Sequence, residues 1–416
     1  MKLEKKAISG IIFGLLLTSA LMLTLNIQPV KAAGTIYIRP GGNVEPLTVS
    51  ISSVDNVTYT FTGNINESIV VQRNNIVLDG AGFTLEGTGV LDSKGISLSG
   101  RSNVTIKSIN ITGFYYGIHL SASSNNTIIG NTITKNAKGI RLSTSSNNTI
   151  SGNTITENTW EGIWLYFLSK YNSLNENNIT NNKDGIKLDA SSNNSICRNN
   201  IVDNDVGINT MSSPSYNTVS KNNITGNKDG IYLFDYSHHN QIICNNIACN
   251  LRGISLRHSS NNTIYHSNFI NNTIQVNVEE SVNTWDIGYP YGGNFWSDYN
   301  GSDSEGDGIG DTPYVINADN TDHYPLAHSW SMFSVHNINT GLGYATIQGA
   351  INANETLYKH IIYVETGTYY ENTVVNKTIS LVGECRSTTI LDGGGNGTVV
   401  RVAANNTCLL YTSPSP

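Results

Sequence analysis

Residues 123–150 read SSNNTIIGNTITKNAKGIRLSTSSNNTI, and the same phrasing returns along the chain at a fixed step. A Gly-Ile pair falls at Gly95, Gly117, Gly139, Gly162, Gly185, Gly207, Gly230 and Gly253, with spacings of 22, 22, 23, 23, 22, 23 and 23 residues. Leu stands three residues after each of these glycines except at Thr210. A second apolar column runs Ile106, Ile128, Ile150, Leu174, Ile196, Val219, Ile242 and Ile264, and a third runs Ile109, Ile133, Ile155, Ile179, Ile201, Ile224, Ile247 and Phe269. Self-similarity at a fixed period of this length marks a solenoid, in which each repeat buries its apolar face only against its neighbours.

Each column belongs to a short alternating stretch bounded by Gly or Asn-Asn, which is strand grammar with too little uninterrupted length for helices. A coil of 22–23 residues holding three short strands predicts a single-stranded parallel β-helix over residues 34–275, right-handed because crossovers between parallel strands take that hand. Three positions after the third column stand Asn136, Asn158, Asn182, Asn204, Asn227, Asn250 and Asn272 without a break. Asn tolerates the left-handed angles of a bend, and stacked amides can bond from coil to coil, so this column is expected to be structural. The many Asn-x-Ser/Thr sequons arise largely from the same turn phrasing and do not by themselves establish glycosylation.

Composition narrows the function classes. Charged residues make up 13%, against roughly 25% for a typical soluble domain. With 38% apolar residues and Ile and Val throughout, the chain is neither disordered nor a coiled coil. A formal charge of −7 without a basic run past the first six residues excludes a nucleic-acid partner. Lys2, Lys5 and Lys6 ahead of the apolar Ala7–Ile27 stretch, then Val30-Lys31-Ala32, predict an export signal over residues 1–33. Left uncleaved it would be an anchor and the one membrane contact. Either way the remainder is placed outside the cytoplasm, secreted or on the cell envelope. Cys197, Cys244, Cys249, Cys385 and Cys408 are too scattered for a disulfide framework.

The phrase above and INESIVVQRNNIVLDGAGFTLEGTG (65–89) resemble the NosD-like β-helix proteins, part of the broader group with carbohydrate-binding/sugar-hydrolysis repeats. GGNFWSDYNGSDSEGDGIGDTPYVI (292–316) followed by DHYPL (322–326) resembles the closing segment of that group, here taken as 276–330. The resemblance implies a pectin-lyase-like solenoid and raises copper, since the founding family is a periplasmic accessory in copper-centre assembly. YATIQGAINA (344–353), IIYVETGTYYENTVVNKTISLVGE (361–384) and TILDGGG (389–395) resemble the opening coils of a second such β-helix, expected over 331–407 and incomplete. CLLYTSPSP (408–416) lacks the repeat's phrasing and resembles translated sequencing adapter.

Four constellations could carry chemistry. Asp303, Glu305, Asp307 and Asp311, with Gly308 at position 6 and the Ile309 carbonyl at 7, match the spacing of a calcium loop, although Tyr314 stands where the closing Glu would be. The outward positions of the Gly-Ile strands gather Arg141, Trp164, Tyr166, Lys187, Asp189, Tyr232 and Phe234. Aromatic faces beside charged groups suit sugar rings, which present apolar faces and polar edges; the bland alternative is a plain or partner-covered face. Glu161 and Asp184 share one column on adjacent coils, about 4.8 Å apart at the backbone, and are candidate catalytic carboxylates. Lys187 lies close enough to make them a surface ion-pair set instead. Cys244 and His266 fall on neighbouring coils, a soft and imidazole pair that suits copper. The alternative is a small core residue and a loop histidine.

The favoured reading is an exported, monomeric, cell-surface protein that binds carbohydrate without cleaving it, with calcium as a structural ion. A polysaccharide lyase or glycoside hydrolase working on the same face, and a periplasmic copper accessory, stay open.

Overall fold

The computed structural model describes residues 34–331, 333–395 and 397–411; the expected export signal and residues 412–416 lie outside them. From Thr35 onward the chain forms one unit. Among the described residues, strands of successive coils stack in parallel into three sheets of 12, 11 and 10 strands, the first two each edged by one short antiparallel strand, Val44–Glu45 and Ile51–Ser52. The first carries the Gly-Ile strands, from Lys94–Ser99 to Arg252–Arg257 and on to Ile274–Glu279. Stacking is in perfect register, for example Ile140 on Ile163 on Ile186. The three apolar columns turn inward, and nearly all their members are fully buried. Each Ile or Leu removed from water in this way contributes about 1.5–3 kcal/mol.

The recurring glycines answer to crowding, not to bending. They lie within the strands, and a Cβ on Gly162 would stand 2.7 Å from the Gly185 carbonyl oxygen and 3.2 Å from Asn182 Nδ2. Nor do the column asparagines themselves take left-handed angles. The residue before each one does, as at Lys135 (φ 55°), Glu157 (54°) and Asn181 (55°). Asn136 instead points inward, its Nδ2 bonding Asn158 Oδ1 at 3.2 Å and the Ile111 carbonyl at 3.1 Å.

Two further inward ladders accompany it. One runs Asn131, Asn153, Asn177, Asn199, Asn222 and Asn245, with amide-to-amide bonds of 2.9–3.0 Å. At its end Asn245 N–H donates to Ser267 Oγ, Ser267 N–H to Asn294 Oδ1, and Asn294 N–H to Asp322 Oδ2.

The closing segment plugs the end of the core. Trp285 and Trp296 are fully buried, Trp296 stacking on Phe269 and on Tyr314 with centroids 4.2 Å apart in each case. Asp322 accepts from Trp296 Nε1 at 2.9 Å, and a Cβ on Gly293 would collide with its carboxylate, which explains the Gly-Gly-Asn-Phe-Trp phrase. Burial pushes the Asp322 carboxyl up to about 7, against the pull of the donors from Asn294, Trp296 and Tyr324.

Beyond the plug, Leu342–Tyr344, Val335–Asn337, Ile361–Val364, Ser380–Gly383 and Cys408–Tyr411 build a separate five-stranded sheet whose later strands are parallel. The helix Ile347–Asn352, capped by Thr346, covers one end of that core with Ile347, Ala350 and Ile351. Residues 408–411 thus continue a coil ladder, although their sequence lacks the repeat's phrasing.

Candidate functional site

Strand alternation turns every residue between the inward Ile and Leu of a Gly-Ile strand outward. The stacked coils therefore carry one outward row: His119, Arg141, Trp164, Lys187, Asn209, Tyr232 and Ser255. In the row just before the glycines, Tyr116 pairs with Lys138, and Glu161 with Asp184. These two rows meet in a half-buried ledge on the coils around Trp164.

The Arg141 guanidinium carbon stands 4.5 Å from the Trp164 ring centre, 4.7 Å from Tyr166 and 5.3 Å from Tyr116. Its Nη1 donates to Tyr116 Oη at 2.8 Å. Trp164 and Tyr166 lie 4.9 Å apart, inclined by 55°. Lys138 Nζ sits 3.9 Å over the Trp164 ring and 3.1 Å from Glu161 Oε2. Lys187 Nζ reaches Glu161 Oε1 at 3.3 Å and Asp184 Oδ2 at 3.7 Å. Asn209 Nδ2 donates to Asp184 Oδ2 at 3.2 Å.

The electrostatics follow from that packing. Glu161 is 5% exposed and Asp184 7%. Burial raises the Asp184 carboxyl, with Lys187 and Asn209 offsetting part of the effect. Burial, helped by Arg141 and Lys94, lowers His119 to about 4, so its ring is neutral at pH 7. Four polar atoms here are buried without a hydrogen-bond partner: His119 Nε2, Arg141 Nε, Trp164 Nε1 and Glu161 Oε2. Lys138 is an ion-pair neighbour of the last, but not aligned along a hydrogen bond.

The structure brings Arg141, Trp164, Tyr166, Lys187, Glu161 and Asp184 together. It sets Tyr232 and Phe234 apart, three strand spacings or roughly 14 Å along the axis beyond Trp164. They stack on each other at 5.7 Å, with Arg257 5.6 Å from Phe234. Asp189 is stacked on Tyr166 in register and makes no ion pair among the described residues. Tyr116, Lys138 and His119 complete the ledge although the sequence did not single them out. Their signal is register alone, since each stands on the same outward columns one or two coils before Trp164.

Of the other candidates, the calcium loop is not assembled. Asp303 accepts from the N–H groups of Asp307 and Gly308, and Asp307 from Ile309. Asp311 takes both Ser302 Oγ and Ser304 Oγ, Glu305 is exposed, and the Ile309 side chain is core. The carboxylates are spent on the turn's own donors instead of converging. Among the described residues no group of three or more His, Cys, Asp or Glu could hold a metal.

Cys244 and His266 do meet one buried cluster, where the sheet of Ile361–Val364 and Ser380–Gly383 packs on the coils. There His336 Nε2 lies 2.9 Å from Glu365 Oε1, Lys221 pairs with Glu365 Oε2, and Cys244 Sγ is 3.6 Å from Glu365 Oε1.

Strands stacked coil on coil around one apolar core define a right-handed parallel β-helix protein of the pectin-lyase-like kind. The model of the NosD family, described as periplasmic copper-binding protein, matches residues 50–214 and 209–301. The chain belongs to the NosD family. No curated protein matches it by sequence. Among solved structures it is similar to a point mutant of the periplasmic alginate epimerase AlgG, at 16% identity over 59% of this chain and 73% of that one, with a TM-score of 0.42. It is similar too to the A-module of the Azotobacter vinelandii mannuronan C-5 epimerase AlgE6 (14% identity, 61% and 91% covered, TM-score 0.38). An alginate lyase from Paenibacillus sp. str. FPU-7 shares 14% identity over 56% of this chain and 91% of its own, with a TM-score of 0.34. Among the described residues no helix is long and apolar enough to cross a membrane.

The residues present do not fit the copper that the family's description implies. Burial raises the Cys244 thiol well above its usual range, with Glu365 adding to it, which disfavours the thiolate that a copper ligand must become. His266 Nε2 is bonded to the Tyr291 carbonyl at 2.8 Å, and the oxygens of Glu365 are held by His336 and Lys221.

Proposed function

We propose that this protein is exported and binds carbohydrate on the ledge around Trp164 without cleaving it. One observation carries the reading: an indole and a phenol ring stand side by side on one sheet face, ringed by Arg141, Lys138 and Lys187, with donors that lack protein partners. Such a surface offers flat apolar area to the face of a sugar ring and polar groups to its hydroxyls. Against cleavage, Glu161 is clamped between two lysines and Asp184 between Lys187 and Asn209. A general acid or nucleophile needs access to the glycosidic bond, and these carboxylates are buried and neutralised instead.

The test applies the chain to immobilised polysaccharides and assays released sugar in the same wells. Retention without release, weakened by Trp164→Ala by about 1–3 kcal/mol, supports the reading; that is the scale of one large side chain leaving a contact. Sugar release abolished by Glu161→Gln or Asp184→Asn would replace it with catalysis. A second reading, a periplasmic copper accessory, is favoured by the family's description alone. It requires tight copper binding that Cys244→Ser and His266→Ala abolish.

A further inference from the structure

Among the charged side chains that touch the Trp164 ring or Glu161, the imbalance of charge falls on one, while Asp189, without an ion pair among the described residues, stands one coil beyond Tyr166. Lys138 and Lys187 bracket Glu161, and Lys187 reaches Asp184 as well, so two cations and two carboxylates neutralise one another. Arg141 stands outside that set. Among the described residues no carboxylate comes within ion-pair distance of it, and of its five N–H donors only one meets a protein acceptor, the Tyr116 hydroxyl. Three aromatic rings surround the guanidinium in place of a counter-ion.

The neighbouring rungs repeat the deficit. His119, Arg141 and Trp164 are direct register partners on three successive coils, and each holds a buried nitrogen without a hydrogen-bond partner: a donor in Arg141 Nε and Trp164 Nε1, and a nitrogen whose role follows the tautomer in His119 Nε2. An unpaired buried donor costs about 1–3 kcal/mol. Two such donors on adjacent coils, one of them on an uncompensated cation, describe a surface that lacks an acceptor bearing negative charge. A planar carboxylate is the group whose geometry matches a guanidinium fork, and charge-assisted bonds of that kind are about twice as strong as neutral ones.

We propose that the glycan taken by this ledge is acidic, a polysaccharide whose rings carry carboxylates, and that Arg141 receives a carboxylate. The proposal rests on the carbohydrate reading of the same face and goes further by naming the chemical class. Sulfate esters share the charge but not the planar two-oxygen edge, and a sulfated polymer is included in the test for that reason.

The experiment measures retention on polygalacturonate and on hyaluronan, each against its own methyl ester, which removes the charge and keeps the backbone. Dextran sulfate and a neutral panel complete the set. The full chain is expected to bind at least one free acid ten-fold or more tightly than its ester, with the difference shrinking as salt rises. Arg141→Gln should bring acid and ester to the same affinity, and Arg141→Lys should restore only part of the gap. A ledge merely loosened by the substitution would lower both polymers together, so the acid-to-ester ratio is the deciding quantity. If acid and ester bind alike, if dextran sulfate outbinds both acids, or if only neutral glycans are retained, the proposal falls while the carbohydrate reading stands. If no glycan is retained at all, both fall.

Discussion

The imidazole of His266 lies flat on the indole of Trp330, with ring centres 3.6 Å apart and planes 11° from parallel. Trp330 is pinned from the same coil, its backbone N–H and carbonyl both bonded to the Asn268 side chain. It also stacks on His336 at 4.0 Å. His266 is therefore a packing residue at the junction of the coils with the later sheet, and burial lowers its ring to about 3.

Loss of that ring should be felt as stability, not as metal affinity. His266→Ala is expected to cost about 2–4 kcal/mol in urea unfolding, as for other large buried side chains cut back to Ala. Copper titration followed by calorimetry should read the same for wild type, His266→Ala and Cys244→Ser. A copper site lost in either variant would contradict this account.

The inward Asn ladders should be far more sensitive than the outward one. Asn177 accepts from both the N–H and the amide of Asn153 and donates to the Ile150 carbonyl. Asn177→Ala strands several buried polar groups, at about 1–3 kcal/mol each. Asn200 also bonds its neighbours Asn178 and Asn223, but in solvent. Asn200→Ala is expected to change the melting midpoint by about 2 °C or less, consistent with a few tenths of a kcal/mol at the surface.

The packing of the later sheet on the coils should depend on acid. Burial alone would raise Glu365, but the bond from His336 and the charge of Lys221 outweigh it and hold the carboxyl at about 2. A depressed carboxyl contributes stability that is complete above its ordinary value near 4.5 and is lost as pH falls through about 2. Glu365→Gln should therefore be less stable than wild type by about 3 kcal/mol at pH 7, the scale of breaking a buried pair. The gap should close between pH 4.5 and 2. An unchanged gap across that window in pH-dependent unfolding would show that the pair is not what holds the junction.

Chelation offers a check on the acidic turn. Because Asp303, Asp307 and Asp311 are satisfied by the turn's own donors, EGTA and added calcium are expected to leave the thermal midpoint within about 2 °C. A larger rise with calcium would mean that these carboxylates reorganise around an ion.

Columns spaced by one coil reported their own stacking, so the sheets, the core and the pairing of Glu161 with Asp184 were legible in the sequence. The reason for the glycines was not, because Gly162 excludes a Cβ through the carbonyl of Gly185 on the next coil, a contact between backbones. Tyr232 and Phe234 share columns with Trp164 and Tyr166, yet a column states direction and not proximity, and the coils of Lys187 and Asn209 come between. The junction of Lys221 and Cys244 with His336 and Glu365 lies beyond any repeat, since no period connects those parts of the chain. For the acidic turn, ligand-like intervals also suit carboxylates that cap their own loop, which is how Asp303 and Asp311 are bonded.

The ladder through Asn177 is a one-way chain, each amide giving a hydrogen to the next coil and taking one from the coil before, until Asp322, which only takes. Any interior link is chemically the same as its neighbours. A whole coil could therefore be duplicated or excised without leaving a polar group stranded, provided the terminator stays in place. Length is thus a free variable of this architecture, and evolution or an engineer can lengthen the rod by single 22- or 23-residue steps while its two ends remain as they are.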